Sequence, residues 1–176
     1  MEYIYIPWND NAFGESDMKS AAPFSATVLL CLLSACSGPL GPIPGGLLSG
    51  QTSVTPGSWD FAVDADQIQL ETIDESGDAY SVNVWSGVVD GRLFIPTSLV
   101  RGAENPDDRG WVKNAVSNDS ARVRIGEKVY AGQLSRVMEA ELTQRVKNAL
   151  MQKYDTKADA RSAGAWIFEV QKRANG

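Results

Sequence analysis

The chain contains no histidine in 176 residues and only two cysteines. Without histidine there is no Ser-His-Asp or Cys-His nucleophile pair, no imidazole base tuned near neutral pH, and no His-ligated zinc, copper or haem. Long apolar runs are missing as well. The longest, residues 24–33, spans about ten residues, whereas a helix needs ~20 to cross a bilayer. Basic clusters are equally scarce. From residue 58 onward 18 acids face 15 bases, a net charge of −3, with no run of one sign. That argues against nucleic-acid binding, because neutralising phosphates requires a clustered basic face. The same stretch shows no internal repeat and no low-complexity segment.

What is present begins with residues 27–46, TVLLCLLSACSGPLGPIPGG. Met18 and Lys19 supply a short positive start, the apolar run follows, and the small residues Ser34 and Ala35 stand just before Cys36, the layout of a secretory signal. A buried helix with an incidental cysteine is the competing reading, and the abrupt passage into SGPLGPIPGG argues against it. Leu33, Ser34, Ala35 and Cys36 together resemble the lipobox of bacterial lipoproteins. The resemblance implies that the Cys36 thiol is diacylglycerylated, that the chain is cut before it, and that the new amino terminus is acylated too. Two or three acyl chains hold a protein durably to a membrane. Ser37, where an aspartate would signal inner-membrane retention, implies a cell-envelope address on the outer membrane, facing the periplasm.

These features divide the chain. Residues 1–17 carry four acids and no Lys or Arg, and are expected to be an upstream over-extension with translation starting at Met18. Residues 18–35 form the signal peptide. Residues 36–57 comprise the lipidated cysteine and a Gly/Pro/Ser-rich stretch whose composition predicts a flexible tether. Residues 58–176 make one domain with a core of its own. Cys31 is lost with the signal and Cys36 is capped, so the domain holds no thiol and no disulfide.

Within the domain, DQIQLETI alternates Ile68, Leu70 and Thr72 against polar residues, and AYSVNVWSGVV alternates Tyr80, Val82 and Val84 against Ser81, Asn83 and Trp85. Both read as strands joined by an ESGD turn. Asp90-Gly91 marks a hairpin into RLFIP. Asn105 is placed to cap a short helix with Pro106 at its first position and Asp107 and Asp108 in its first turn. ARVRIG and KVYAGQLSRV read as a further hairpin, with Arg122 and Arg124 on its wet face. EAELTQRVKNALMQKY places Leu142, Val146, Ala149 and Leu150 at helical spacing, and AWIFEV is apolar on both faces, the mark of a central strand. The order β-β-β-α-β-β-α-β predicts a mainly β, α+β domain with two helices, curled into a small barrel because closure removes exposed edges.

Several of these pieces recur together. The Val89–Gly91 hairpin, Thr97 and Ser98 at a strand end, the loop glycine Gly102, Trp111 and Asn114, and the helix-terminal Lys153 and Tyr154 resemble the flavin- and deazaflavin-binding split β-barrels, most closely an uncharacterised branch of them, over about residues 59–173. The resemblance implies an FMN or deazaflavin cofactor bound in a groove between strands, in a protein that can pair as a homodimer, and redox chemistry performed by the cofactor. A phosphate would find partners in Thr97, Ser98, Arg101, Arg109 and Lys113, with Asn114 beside them, and Trp111 or Trp85 could wall the ring. Each of these has a structural reading too: Trp111 as a core anchor, Arg109 and Lys113 as solvated partners of Asp107 and Asp108, Thr97 and Ser98 as strand ends. Asp74 and Glu75 stand where many deazaflavin-binding relatives carry basic residues, and acids there would repel a phosphate. No metal is expected: DAD at residues 64–66 and ENPDD at 104–108 read as turn and cap chemistry. The competing function is a non-enzymatic envelope module for binding or interaction, without a cofactor.

Overall fold

The computed structural model describes residues 38–97, 105–155 and 164–173. The upstream extension, the signal peptide, Cys36, Ser98, Arg101 and Gly102 lie outside the described residues. Eight strands and two helices follow in chain order: β1 (Thr52–Val54), β2 (Ile68–Ile73), β3 (Ala79–Val84), β4 (Gly87–Val89), β5 (Arg92–Pro96), α1 (Gly110–Ser117), β6 (Ser120–Ile125), β7 (Lys128–Arg136), α2 (Ala140–Lys153) and β8 (Ile167–Gln171). The sheet runs β3-β2-β6-β7-β8-β5-β4, with β1 parallel to β7 beyond the end of β8. All pairs except β1–β7 are antiparallel.

The continuous strand expected over AYSVNVWSGVV is two strands broken at Trp85 and Ser86. The break decides the architecture. β3 and β4 are the two outer strands of the sheet, yet only two residues separate them along the chain. A flat sheet of seven strands would hold its edges some 29 Å apart, at about 4.8 Å per strand. The sheet must therefore roll until its edges meet, which yields a barrel with a seam between β3 and β4. This is a split-barrel α+β domain, as the strand pattern predicts.

The alternating apolar faces fill the barrel. Ile68, Leu70, Leu93, Ile95, Val123, Leu134, Phe168 and Val170 form the main core with Trp111, Val112 and Ala115 of α1. On the outside of β5 and β8, α2 packs Leu142, Val146 and Leu150 against Phe94 and Ile167. β8 is thus covered on both faces and sits between β7 and β5, the central position expected of it. Glu169, on its outer face, takes a bidentate pair from Arg92 at 2.8 and 2.6 Å and a bond from Gln171 at 2.9 Å. Burial would raise this carboxyl, but the bonds from Arg92 and Gln171 outweigh it and the net shift is downward. A depressed carboxyl stabilises the fold above its unfolded value and loses that contribution as pH falls through the folded one. Urea midpoints from pH 7 to strong acid should therefore show Arg92→Ala well below the wild type at neutrality, and the two converging below about pH 4.

The stretch whose composition predicts a tether behaves differently over residues 38–57. Leu48 is 1% exposed. Gly45 exchanges both backbone hydrogen bonds with Ser81, at 2.8 Å each, and Asn83 Nδ2 donates to Gly41 O at 2.9 Å. β1 then joins the sheet beside β7, where the Thr55 hydroxyl donates to Ala131 O. This segment is a strap across the outer face of β3, β2 and β6. Arg122 and Arg124, expected on a wet face, lie beneath it: Arg122 Nη2 donates to Leu48 O at 2.7 Å, and Arg124 donates to Ser49 O. The buried Glu71 carboxylate completes the clamp, accepting Leu48 N–H at 2.5 Å and Arg122 Nη1 at 3.0 Å. Gly- and Pro-rich sequence remains ordered here because fixed partners on the sheet satisfy its backbone groups. Burial of Leu48 adds about 2 kcal/mol.

Candidate functional site

The start of α1 and the barrel seam carry the chemistry-bearing side chains. Asn105 caps as expected, but it opens a separate 3-10 turn, Pro106–Asp108, and Asp108 Oδ2 reaches back to Asn105 N at 3.4 Å. The α-helix itself starts only at Gly110, so its first turn contains no acid. Asp107 and Asp108 stand before the N-cap of α1, outside its first turn. Arg109 flanks that end in an extended conformation, and its carbonyl accepts from both Val112 N and Lys113 N at 3.0 Å.

Two atoms of the Arg109 guanidinium, Nε and Nη2, are buried and make no hydrogen bond among the described residues. Burial pushes the group below an arginine's ordinary value, and Tyr80 acts weakly in the opposite direction. Tyr80 is packed against the helix start as well, since a Cβ added at Gly110 would lie 3.2 Å from its ring. Among the described residues neither Arg109 nor Lys113 forms an ion pair with Asp107 or Asp108. Lys113 is exposed on the same turn.

The other predicted site residues are engaged by the fold. Thr97 is fully buried at the end of β5, where its Oγ1 accepts from Trp166 N at 2.8 Å and donates to Trp166 O at 3.3 Å. Trp111 is 3% exposed and meets Phe168 edge-on with ring centroids 5.4 Å apart. Asn114 Nδ2 donates to Thr72 Oγ1 at 3.1 Å, fastening α1 to β2. Ser98 and Arg101 lie outside the described residues; of the described candidates for a phosphate, Arg109 and Lys113 stand at the start of α1.

A second cluster lies at the seam, and of its members sequence reasoning gave a role only to Trp85, as a candidate wall for a ring. Lys153 Nζ donates to Ala65 O at 2.7 Å and Ser86 O at 2.9 Å, and burial lowers its ammonium despite Asp66 and Asp64 nearby. The Tyr154 hydroxyl accepts Ser86 N–H at 3.0 Å and lies 2.8 Å from Asp66 O and 3.0 Å from Ser86 O, either of which can take its single proton. Burial, the largest influence, raises the phenol, while its bonds to Ser86 lower it. Trp85 stacks flat on Tyr154 at 4.5 Å and is 40% exposed. The end of α2 thus clasps the two residues where the barrel's edges meet. The available sequence signal was the pair of consecutive polar residues with long reach, Lys153 and Tyr154, at the end of an otherwise periodic helix. Among the described residues no group of three His, Cys, Asp or Glu is placed to hold a metal ion, and no helix is long and apolar enough to cross a membrane.

No protein-family model matches the chain, and no curated protein matches it. Among solved structures it is similar to a conserved hypothetical protein from Mycobacterium tuberculosis, with 14% identity and a TM-score of 0.51 over 72% of this chain and 87% of that one. It is also similar to an F420 reductase, with 15% identity and a TM-score of 0.48 over 68% of this chain and 97% of that one. A third is HutZ, the heme storage protein of Vibrio cholerae, with 14% identity and a TM-score of 0.49 over 62% of this chain and 83% of that one. At such identities the likeness is one of fold.

Proposed function

We propose that this chain is a lipoprotein, held to the periplasmic face of the outer membrane through Cys36, whose split barrel binds a small anionic ligand of FMN or deazaflavin type beside Arg109. One observation carries the ligand reading: a buried guanidinium edge, Nε and Nη2, left without an acceptor among the described residues, at a helix start that has no acid in its first turn. A buried charged donor without a partner is costly, and a phosphate or carboxylate would satisfy this one with two parallel charge-assisted hydrogen bonds. Lys113, exposed one turn along, adds charge on the approach. When bound, a flavin supplies the hydride chemistry itself, so the lack of histidine is no obstacle. Trp111 offers a ring no free face, because Phe168 and the core enclose it.

The test is a titration of the purified protein with FMN, and with riboflavin as the phosphate-free control, followed by quenching of flavin fluorescence. Arg109→Ala should weaken FMN binding roughly 10- to 100-fold, the loss of a charged hydrogen-bond pair, while riboflavin binding stays unchanged. If high micromolar FMN is not quenched by the wild-type protein, the ligand reading is wrong. The alternative, an envelope interaction module without cofactor, is favoured by a different observation: the Thr97 hydroxyl and Asn114 Nδ2 already have partners within the barrel, and Trp111 is enclosed by its core.

A further inference from the structure

Residues 38–45 close on themselves. Leu40 and Ile43 exchange backbone hydrogen bonds at 3.0 Å across Gly41 and Pro42, with Gly41 at φ +56, the conformation a two-residue hairpin loop favours for glycine at its first central position. At the base, a Cβ on Gly45 would stand 2.4 Å from the Gly38 carbonyl carbon, so the two ends of the loop touch and only glycine fits. The Gly45–Ser81 pair and the Asn83–Gly41 bond fix the loop to β3. Its apolar side chains nonetheless point away from the protein: Leu40 is 60% exposed, Ile43 64%, and Leu47, just beyond the base, 57%. Leu48, the next residue, is buried. Three large aliphatic side chains held outward on a rigid, uncharged loop form a surface built for an apolar partner.

The covalent chain determines which partner. Leu40 is four residues beyond Cys36, and four residues span at most about 14 Å. We infer that residues 40–47 form a membrane-contact surface, with Leu40, Ile43 and Leu47 seated in the lipid interface beside the acyl chains of Cys36. The inference rests on the lipidated-cysteine reading of the proposed function and deepens it. With acyl chains buried, Cys36 lies at the bilayer surface, so Leu40 stays within about 14 Å of it, in reach of the interfacial zone where apolar side chains settle about 5–10 Å deep. Because the loop is fixed to β3, the barrel follows it. The outer face of β3, β2 and β6 is then turned toward the bilayer, and the domain sits on the membrane instead of ranging on a tether of some twenty residues.

The test uses the full chain, processed in a bacterial host and reconstituted into phosphatidylethanolamine/phosphatidylglycerol vesicles. With Cys31 removed and Cys36 acylated, an Ile43→Cys substitution supplies the one reactive thiol, which is labelled with an environment-sensitive fluorophore. Glu141→Cys, exposed on α2, serves as the comparison site. The label at 43 should be quenched severalfold more strongly by headgroup- and shallow-acyl-attached quenchers than the label at 141, and should be protected from iodide. Mass spectrometry of the amino-terminal peptide reports acylation separately. An acylated protein whose label at 43 stays open to iodide overturns the membrane contact and leaves the anchor standing. A label shielded from iodide but untouched by lipid quenchers assigns the surface to a second copy of the chain, which also overturns it. An unmodified Cys36 removes the anchor and this inference together.

Discussion

Arg122→Ala is expected to lower the stability of the domain by about 3–5 kcal/mol, the range for removing one partner of a buried ion pair. Glu71 is 2% exposed and, among the described residues, its carboxylate accepts three hydrogen bonds from two donors: Arg122 Nη1 to both oxygens, at 3.0 and 3.1 Å, and Leu48 N–H. Losing Arg122 leaves an uncompensated buried charge and also frees the Leu48 carbonyl that Arg122 Nη2 holds. The effect should therefore reach beyond the pair. Amides of residues 45–49 should exchange with solvent faster in the variant than those of β8, whose core is untouched. Replacing Glu71 and Arg122 together by leucine should recover part of the lost stability, since an apolar pair spares both desolvation costs while the Leu48 N–H and carbonyl still lose their partners. Denaturant midpoints for the single and double variants decide the matter; a single variant within 1 kcal/mol of the wild type would contradict the clamp.

Trp111→Ala is expected to cost a similar amount, about 3–5 kcal/mol, as a large-to-small change in a packed core. The indole fills the barrel interior from α1 and meets Phe168 edge-on, a geometry worth roughly 1 kcal/mol beyond the area it buries. Trp111→Phe keeps part of that packing and should cost less than half as much. The measurement also separates two roles. A tryptophan that walled a ligand ring would lose binding on truncation while thermal unfolding stayed near the wild-type value. A core anchor loses stability first, and the burial of Trp111 predicts the second outcome.

Much of this fold was legible along the chain. Alternation of apolar and polar residues over β2 and β3, Asp90-Gly91 at the β4–β5 turn, helical spacing in α2 and the doubly apolar β8 each state their local conformation, because side-chain period is a property of the backbone itself. The helix start was legible only in part. Asn105, Pro106 and the two aspartates are good capping residues, and they were used in a 3-10 turn whose end displaced α1 to Gly110. Of the predicted site, Arg109 was the informative member. Sequence offered Asp107 and Asp108 as its obvious partners, whereas the backbone turn between them directs the guanidinium into the protein instead.

The sequence by itself determined the missing imidazole chemistry and where most of the strands and α2 fall, both of which depend on residue type and near neighbours. Tertiary structure alone decided that the strands roll to a seam clasped by Lys153 and Tyr154, that Arg109 Nε and Nη2 are buried with no acceptor among the described residues, and that the glycine- and proline-rich stretch is a strap. The physical reason is reach. Alternation says which face of a strand seeks the core and is silent about what covers the other face, and here the cover comes from Leu48, 23 residues before Glu71 and 74 before Arg122.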